Sequence, residues 1–227
     1  MTDAHYHRDG YATFLSIGDR EFRFYGFHPW QALDLGEAAL LPLQEKLAAD
    51  PHAGVGEIGL DRLKEKTISP AQRAAFAAQL EVAAEFARPV VLHGAKCWGE
   101  VVAACRPYAG RIPAFLFHGF SRSGGLLPDI AALNGFVGVG AALLNDHAVN
   151  YRELVREVPI ERVLVETDAD YGRAGARPSP CGSLGQAGAR PSPEEIVCKL
   201  AELRGVEPAA LEAVVDANAA RFVEALA

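Results

Sequence analysis

This 227-residue chain has no long apolar run. The stretch Leu126–Leu144 comes nearest, but Pro128, Asp129 and Asn134 interrupt it, and a membrane helix needs about 20 consecutive apolar residues. The first residues carry no basic segment followed by an apolar one, and His5 would break such a leader. Cysteine is scarce. Cys97, Cys105, Cys181 and Cys198 form no C-x-x-C pair and no zinc-ribbon spacing, so reduced thiols are the plain reading and a disulfide framework is not expected. Positive charge is in deficit, with 22 Lys and Arg against 29 Asp and Glu. A net charge of −7 argues against broad electrostatic coating of nucleic acid, although not against a local basic rim. These absences lead us to expect a cytoplasmic protein with no membrane contact and no obligate protein partner.

What is present is the composition of one globular unit: half the residues are apolar and 22% are charged. A single domain over 1–227 is expected, since α/β barrels reach about 250 residues as one unit. Thr2–Asp9 reads as a strand. Two aromatic and β-branched runs, Tyr11–Ile17 and Glu21–Phe27, flank Gly18-Asp19 and read as a hairpin or two short strands without an intervening helix. Glu37–Ala49 is helical in pattern. From Ala53 onward short apolar strands alternate with helices: Ala53–Ile58, Pro89–His93, Ala114–His118, Phe136–Gly140 and Val163–Asp168 are the strands. Ser69-Pro70-Ala71-Gln72 is a capping box opening a helix to Ala87, and helices at Pro193–Arg204 and Pro208–Leu226 close the chain. Alternation of this kind means βαβ units and a parallel sheet. Seven or eight strands suit a TIM (β/α) barrel, complete or short of one unit. Residues 169–193 form a Gly/Pro-rich stretch in which Ala174–Pro180 recurs as Ala187–Pro193, and a mobile insertion is expected there.

The strand ends carry a pattern that packing does not require. His5 and His7 stand at i and i+2, so on a strand they share a face about 6.5 Å apart along the backbone, a spacing from which two imidazoles can grip one ion. Glu57, His93, His118 and Asp168 each sit at the end of a later strand. In a parallel barrel all six lie at the C-terminal face, and four imidazoles with two carboxylates make a site for one or two divalent metal ions, with Zn, Mg and Mn all open. Each alone has a blander reading, a hydrogen-bonded histidine or a helix N-cap; six from five strands are hard to assign to chance. His52 and His147 keep the bland reading. His28 also ends a strand and is a candidate substrate contact, as are Lys64, Lys96 and Arg122, which follow ligand-bearing strands; solvated surface charge explains these three cations equally well. Glu166 is expected to orient a ligand histidine or a lysine.

His5-x-His7-x-Asp9, Gly26-x-His28-Pro29, Gly56-Glu57-Ile58-Gly59-Leu60-Asp61, Pro89-Val-Val-Leu-His93, Phe117-His118-x-Phe120-Ser121, Glu166-Thr167-Asp168 and Asn218-x-x-Arg221-Phe222 occur in one order along nearly the whole chain. In that order they resemble the TatD family. The resemblance implies a TIM-barrel metal-dependent hydrolase acting as a deoxyribonuclease or phosphodiesterase on DNA or a small phosphodiester. It implies His5, His7, Glu57, His93, His118 and Asp168 as metal ligands, with Glu57 bridging two ions. The segment between His7 and His28 is short for the family and lacks its first helix. Ala95 stands where a basic residue is usual, with Lys96 beside it. Asp170 replaces the customary proline. An amidohydrolase acting on a cyclic amide or lactone, or a catalytically inactive metal-binding barrel, are the alternatives. In the hydrolase reading Glu57 and Asp168 are the catalytic carboxylates, Asp168 taking the proton of the attacking water.

Overall fold

The computed structural model describes residues 1–8, 12–31, 37–64, 66–121, 124–169 and 191–226. Eight strands lie in one sheet in sequential order: β1 (Thr2–Arg8), β2 (Ala12–Ile17), β3 (Arg20–Tyr25), β4 (Gly54–Asp61), β5 (Val90–Ala95), β6 (Phe115–Phe117), β7 (Gly135–Val139) and β8 (Val163–Val165). From β3 to β8 every pairing is parallel, while β2 runs antiparallel to both its neighbours. The expected hairpin is therefore present, with Ile17 paired to Arg20 around Gly18 and Asp19. Gly18 adopts φ +56°, a left-handed conformation that costs a glycine little. The barrel closes where the Asp168 amide donates to His5 O (3.0 Å) and the His7 amide to Ala169 O (2.7 Å). The fold is the expected TIM-type (β/α) barrel of eight strands, modified in its first quarter.

Because only residues 9–11 join β1 to β2, no helix fits between them, and the outer side of the hairpin needs another cover. Arginines provide it. Arg8 lies over the rings of Tyr6 and Phe14, and Arg23 over Phe14 and Tyr25, at 4.9–5.5 Å from the centroids. Their aliphatic stems shield the rings while the guanidinium heads stay wet.

The helices are α1 (Glu37–Ala49), α2 (Pro70–Glu85), α3 (Trp98–Cys105), α4 (Leu127–Ala132), α5 (Val149–Glu157), α6 (Pro193–Arg204) and α7 (Pro208–Phe222). Ser69 accepts from the Gln72 amide to start α2, and Ser192 with Glu195 forms a full capping box on α6. Pro42 sits inside α1, which continues through it. One core fills the space between strands and helices, with Trp98 packed on Phe117 and Phe120. A second fills the barrel interior below the strand ends, where Phe222 of α7 meets Phe24 and Phe136 at 5.9 and 5.8 Å. The Asn218-x-x-Arg221-Phe222 tail thus has a structural job. Asn218 Nδ2 donates to Ile160 O and Val163 O, both at 2.8 Å, and locks α7 under β8. The barrel floor is apolar and shut, so the open, polar end is the only described place for chemistry within the barrel.

Candidate metal centre

All six expected residues project into one cup at the C-terminal ends of the strands. His5 and His7 share the inner face of β1, as their spacing requires, with Nε2 atoms 3.2 Å apart. Glu57 Oε2 lies 3.6 and 3.7 Å from those two nitrogens, and Asp168 Oδ1 lies 3.6 and 3.3 Å from them. On the other side Glu57 Oε1 meets His93 Nδ1 at 2.6 Å and His118 Nε2 at 3.9 Å. One carboxylate therefore divides its two oxygens between two groups of imidazoles. His118 Nε2 also lies 3.8 Å from Asp168 Oδ1, so His118 stands between the groups instead of belonging to the His93 side alone. Donors about 2.0–2.1 Å from a shared tetrahedral ion stand roughly 3.3 Å apart, close to the spacings around His5, His7, Glu57 and Asp168.

Tautomers can be read from the partners. His118 Nδ1 faces Glu166 Oε1 at 3.0 Å, so it carries the proton and leaves the Nε2 lone pair to the cup. His93 is turned the other way: its Nε2 donates to Asp61 Oδ2 at 2.9 Å and Nδ1 faces inward. The 2.6 Å approach of that Nδ1 to Glu57 Oε1 brings two acceptors together and requires a proton or a cation between them. With a proton there, burial would lower the His93 pKa, but Glu57 and Asp61 outweigh it and lift it to about 9. His118 is likewise raised, its burial outweighed by Glu166 and Asp168. Burial opposes ionisation of Glu57 too, yet His93 and His118 hold it well below the usual carboxylate range. His5, fully buried, is pushed down by desolvation. The donor set is thus a largely buried cluster in which Glu57 is ionised and each histidine turns one ring nitrogen inward, and it fits a divalent cation, which would take the place of the protons. His5 Nδ1 and His7 Nδ1 are buried with no partner among the described residues.

Local structure explains the aim of each group. Asp168 lies beyond β8, which ends at Val165 instead of reaching Asp168 as the sequence suggested. It adopts φ +51°, a left-handed conformation that aspartate tolerates better than most residues. Thr167 fixes the bend by donating from its amide (2.9 Å) and hydroxyl (2.6 Å) to the two oxygens of Asp3. Burial raises the Asp3 pKa to about 7 despite those bonds. Glu166 orients a histidine as expected, also accepting from the Gly119 amide at 2.7 Å. It occupies space left by Gly138, where an added Cβ would fall 2.1 Å from Glu166 Oε2. Asp61 accepts from the amides of Leu63 and Lys64 at 2.6 and 3.1 Å, so its position is fixed from both sides. Its pKa is held at about 2, the His93 bond and these amides outweighing burial.

His28 joins the cup wall: its Nε2 is 3.4 Å from His93 Nδ1 and 4.0 Å from Glu57 Oε1. Its Nδ1 accepts from the Trp30 amide at 3.2 Å, and burial lowers its pKa to about 4. It is therefore a neutral imidazole presenting Nε2–H, a hydrogen-bond donor and not a ligand lone pair. Lys64 and Lys96 are exposed in the turns after β4 and β5. Lys64 Nζ rests 5.5 Å from the Trp30 ring centroid. Arg122 lies outside the described residues, as do residues 170–190 of the repeat-bearing stretch. His52 and His147 are exposed. Asp3 and Asp61 were not singled out from the sequence. Asp61 closes the Gly56–Asp61 motif, which was its one signal; Asp3 gave none beyond its place on the His5 face.

A model of the TatD related DNase family matches residues 3–224. The chain belongs to the TatD-related DNase family. As a member it is a metal-dependent hydrolase of the nuclease class. It is 30% identical over 205 residues to the 3′-5′ ssDNA/RNA exonuclease TatD of Pectobacterium carotovorum, an alignment covering 86% of this chain and 75% of that protein. With the protein of the same description from Klebsiella pneumoniae it shares 34% over 175 residues, 76% of this chain and 65% of the relative. The crystal structure of the TatD homolog YjjV from Escherichia coli K12 superposes with TM-score 0.71 at 24% identity, covering 88% of this chain and 75% of YjjV, which supports the barrel assignment. No described helix of this TatD-related chain is long and apolar enough to cross a membrane.

Proposed function

We propose that this chain hydrolyses phosphodiester bonds of single-stranded nucleic acid, removing nucleotides from one end. The observation that carries the reading is Glu57, buried and ionised, with one oxygen toward His5 and His7 and the other toward His93 and His118. His5, His7, Glu57 and Asp168 would hold one divalent ion, and Glu57, His93 and His118 a second, Zn, Mg or Mn. When bound, such an ion supplies a nucleophile at neutral pH by acidifying water from roughly 15.7 to about 7. Asp168, the more exposed of the two cup carboxylates and held ionised by His118 and His7 against its burial, takes the proton of the attacking water. His28 Nε2–H donates to a phosphate oxygen, Lys64 and Lys96 add charge-assisted contacts at the rim, and Arg122 is assigned the same role from its place in the sequence alone. The free thiols of Cys97, Cys105 and Cys198 suit the reducing cytoplasm, where we place the protein.

The relatives named as exonucleases motivate the end-directed, single-strand specificity. The test is a panel of single- and double-stranded oligonucleotides, a chromogenic phosphodiester, amides and lactones, each with Mg²⁺, Mn²⁺ or Zn²⁺ added to stripped protein. Stepwise shortening of the single strands is expected. Turnover of a lactone or amide with no cleavage of any phosphodiester would overturn the assignment.

A further inference from the structure

Two rim residues that lie outside the donor cluster form a unit of their own. Trp30 follows β3 and Lys64 follows β4, and these strands are parallel neighbours, so both turns stand over the same side of the mouth. Ring contacts lead from the cup to this unit: His93 to His28 at 4.5 Å, and His28 to Trp30 at 4.8 Å, both edge to face. Trp30 is half-buried, so part of its indole is open to solvent. Lys64 is exposed and makes no ion pair among the described residues; its ammonium rests on the Trp30 π-face. Two positions earlier, Arg62 is by contrast tied to Glu100. Leu63 between them is 47% exposed, adding apolar surface to the same turn. A cation parked on a partly exposed indole is weakly held and leaves readily for a phosphate. An indole beside a phosphodiester site is what a nucleobase stacks on, whatever its sequence.

We propose that Trp30 and Lys64 are the seat of the nucleotide next to the bond that is cut, Trp30 stacking the base and Lys64 moving from the ring to its phosphate. The inference rests on the nuclease reading above and adds the base as a recognised group. Trp30 is a positioning residue that sets which strands are held, and it takes no part in proton transfer.

The test compares two metal-supplemented single-stranded oligonucleotides that differ only in whether the nucleotides at the attacked end carry bases or are abasic. Wild type is expected to prefer the base-bearing strand. Trp30→Ala lowers that preference by roughly 10- to 100-fold through KM, toward equal cleavage of both, and Trp30→Phe retains most of it. Lys64→Ala slows both strands alike and flattens the salt dependence. Equal slowing of both strands by Trp30→Ala, or no effect, would overturn the proposal: the ring would then only buttress His28 or do nothing. Should wild type cut neither strand, binding still decides. Trp98, the other of the two tryptophans, is 2% exposed, so quenching by a base-bearing oligonucleotide but not an abasic one reports Trp30. Such quenching without cleavage would keep the seat and discard the nuclease reading; absence of both would remove the two together.

Discussion

His93 and His118 do the same work through opposite nitrogens. Asp61 holds one by Nε2 and Glu166 holds the other by Nδ1, so each presents its remaining lone pair to Glu57. Outer partners of this kind fix tautomer and ring orientation, and losing one typically weakens metal affinity 10–100-fold. Asp61→Asn and Glu166→Gln are each expected to raise the dissociation constant for Mn²⁺ by that factor, measured by titration calorimetry. Unchanged affinity in both would mean the rings need no support. His93→Ala and Asp168→Ala are expected to abolish metal-dependent phosphodiesterase activity while leaving the circular dichroism spectrum intact; full activity in either would remove that residue from the site. The pH dependence follows from His93. Its pKa in the folded, metal-free protein is about 9 against an ordinary 6.5, so the native state holds this proton more tightly than the unfolded chain. That contribution to stability is complete below pH 6.5 and is lost as pH rises through about 9. A metal ion replaces the proton, so the rise in melting temperature on adding Mn²⁺ should grow from pH 6.5 toward 9. A metal-induced rise that is flat or falls with pH would contradict this.

At the scale of elements, most of the frame was legible. Six potential ligands at strand ends could be named because short apolar strands mark their own C-termini, and a parallel barrel brings those ends together. The hairpin was legible because the Gly18-Asp19 turn leaves no room for a crossover helix. The finer aim was not. That His93 turns Nδ1 inward and His118 Nε2 depends on Asp61 and Glu166, contacts set by packing across strands that no local pattern encodes. β8 ends at Val165: the Glu166 amide still donates to Val139 O of β7, but Thr167 and Asp168 turn to Asp3 and β1, and propensity alone does not see that. Gly138 gives a test of this layer. A methyl group at that position would displace the Glu166 carboxylate, so Gly138→Ala should lower activity by releasing His118 while the barrel remains folded. Wild-type turnover in Gly138→Ala would show that Glu166 is dispensable. Below the cup, Phe222 is 1% exposed and bridges Phe24 and Phe136, so Phe222→Ala should cost about 3–5 kcal/mol by opening a cavity in the floor. Denaturant unfolding measures it, and a loss under about 1 kcal/mol would mean that α7 does not seal the barrel.

Across the whole molecule, an acidic chain of net charge −7 handles a polyanion only if positive charge is concentrated where the phosphate must sit. Cations held by buried Glu57 and half-buried Asp168, ringed by His5, His7, His93 and His118, would provide that charge inside the mouth instead of over the surface. The apolar floor below and the hydrogen bonds from His7 and Asp168 that join β1 to the end of the barrel hold the cup in one shape. The most direct measurement is to strip the protein with a chelator, then titrate Mn²⁺ or Zn²⁺ while following bound metal and cleavage of a single-stranded oligonucleotide together. Activity should be absent from the stripped protein, rise with occupancy to a plateau at one or two ions per chain, and stay absent in Glu57→Ala together with tight metal binding. Cleavage by the stripped protein at the full rate, or a Glu57→Ala variant that binds metal and cuts like wild type, would contradict the account.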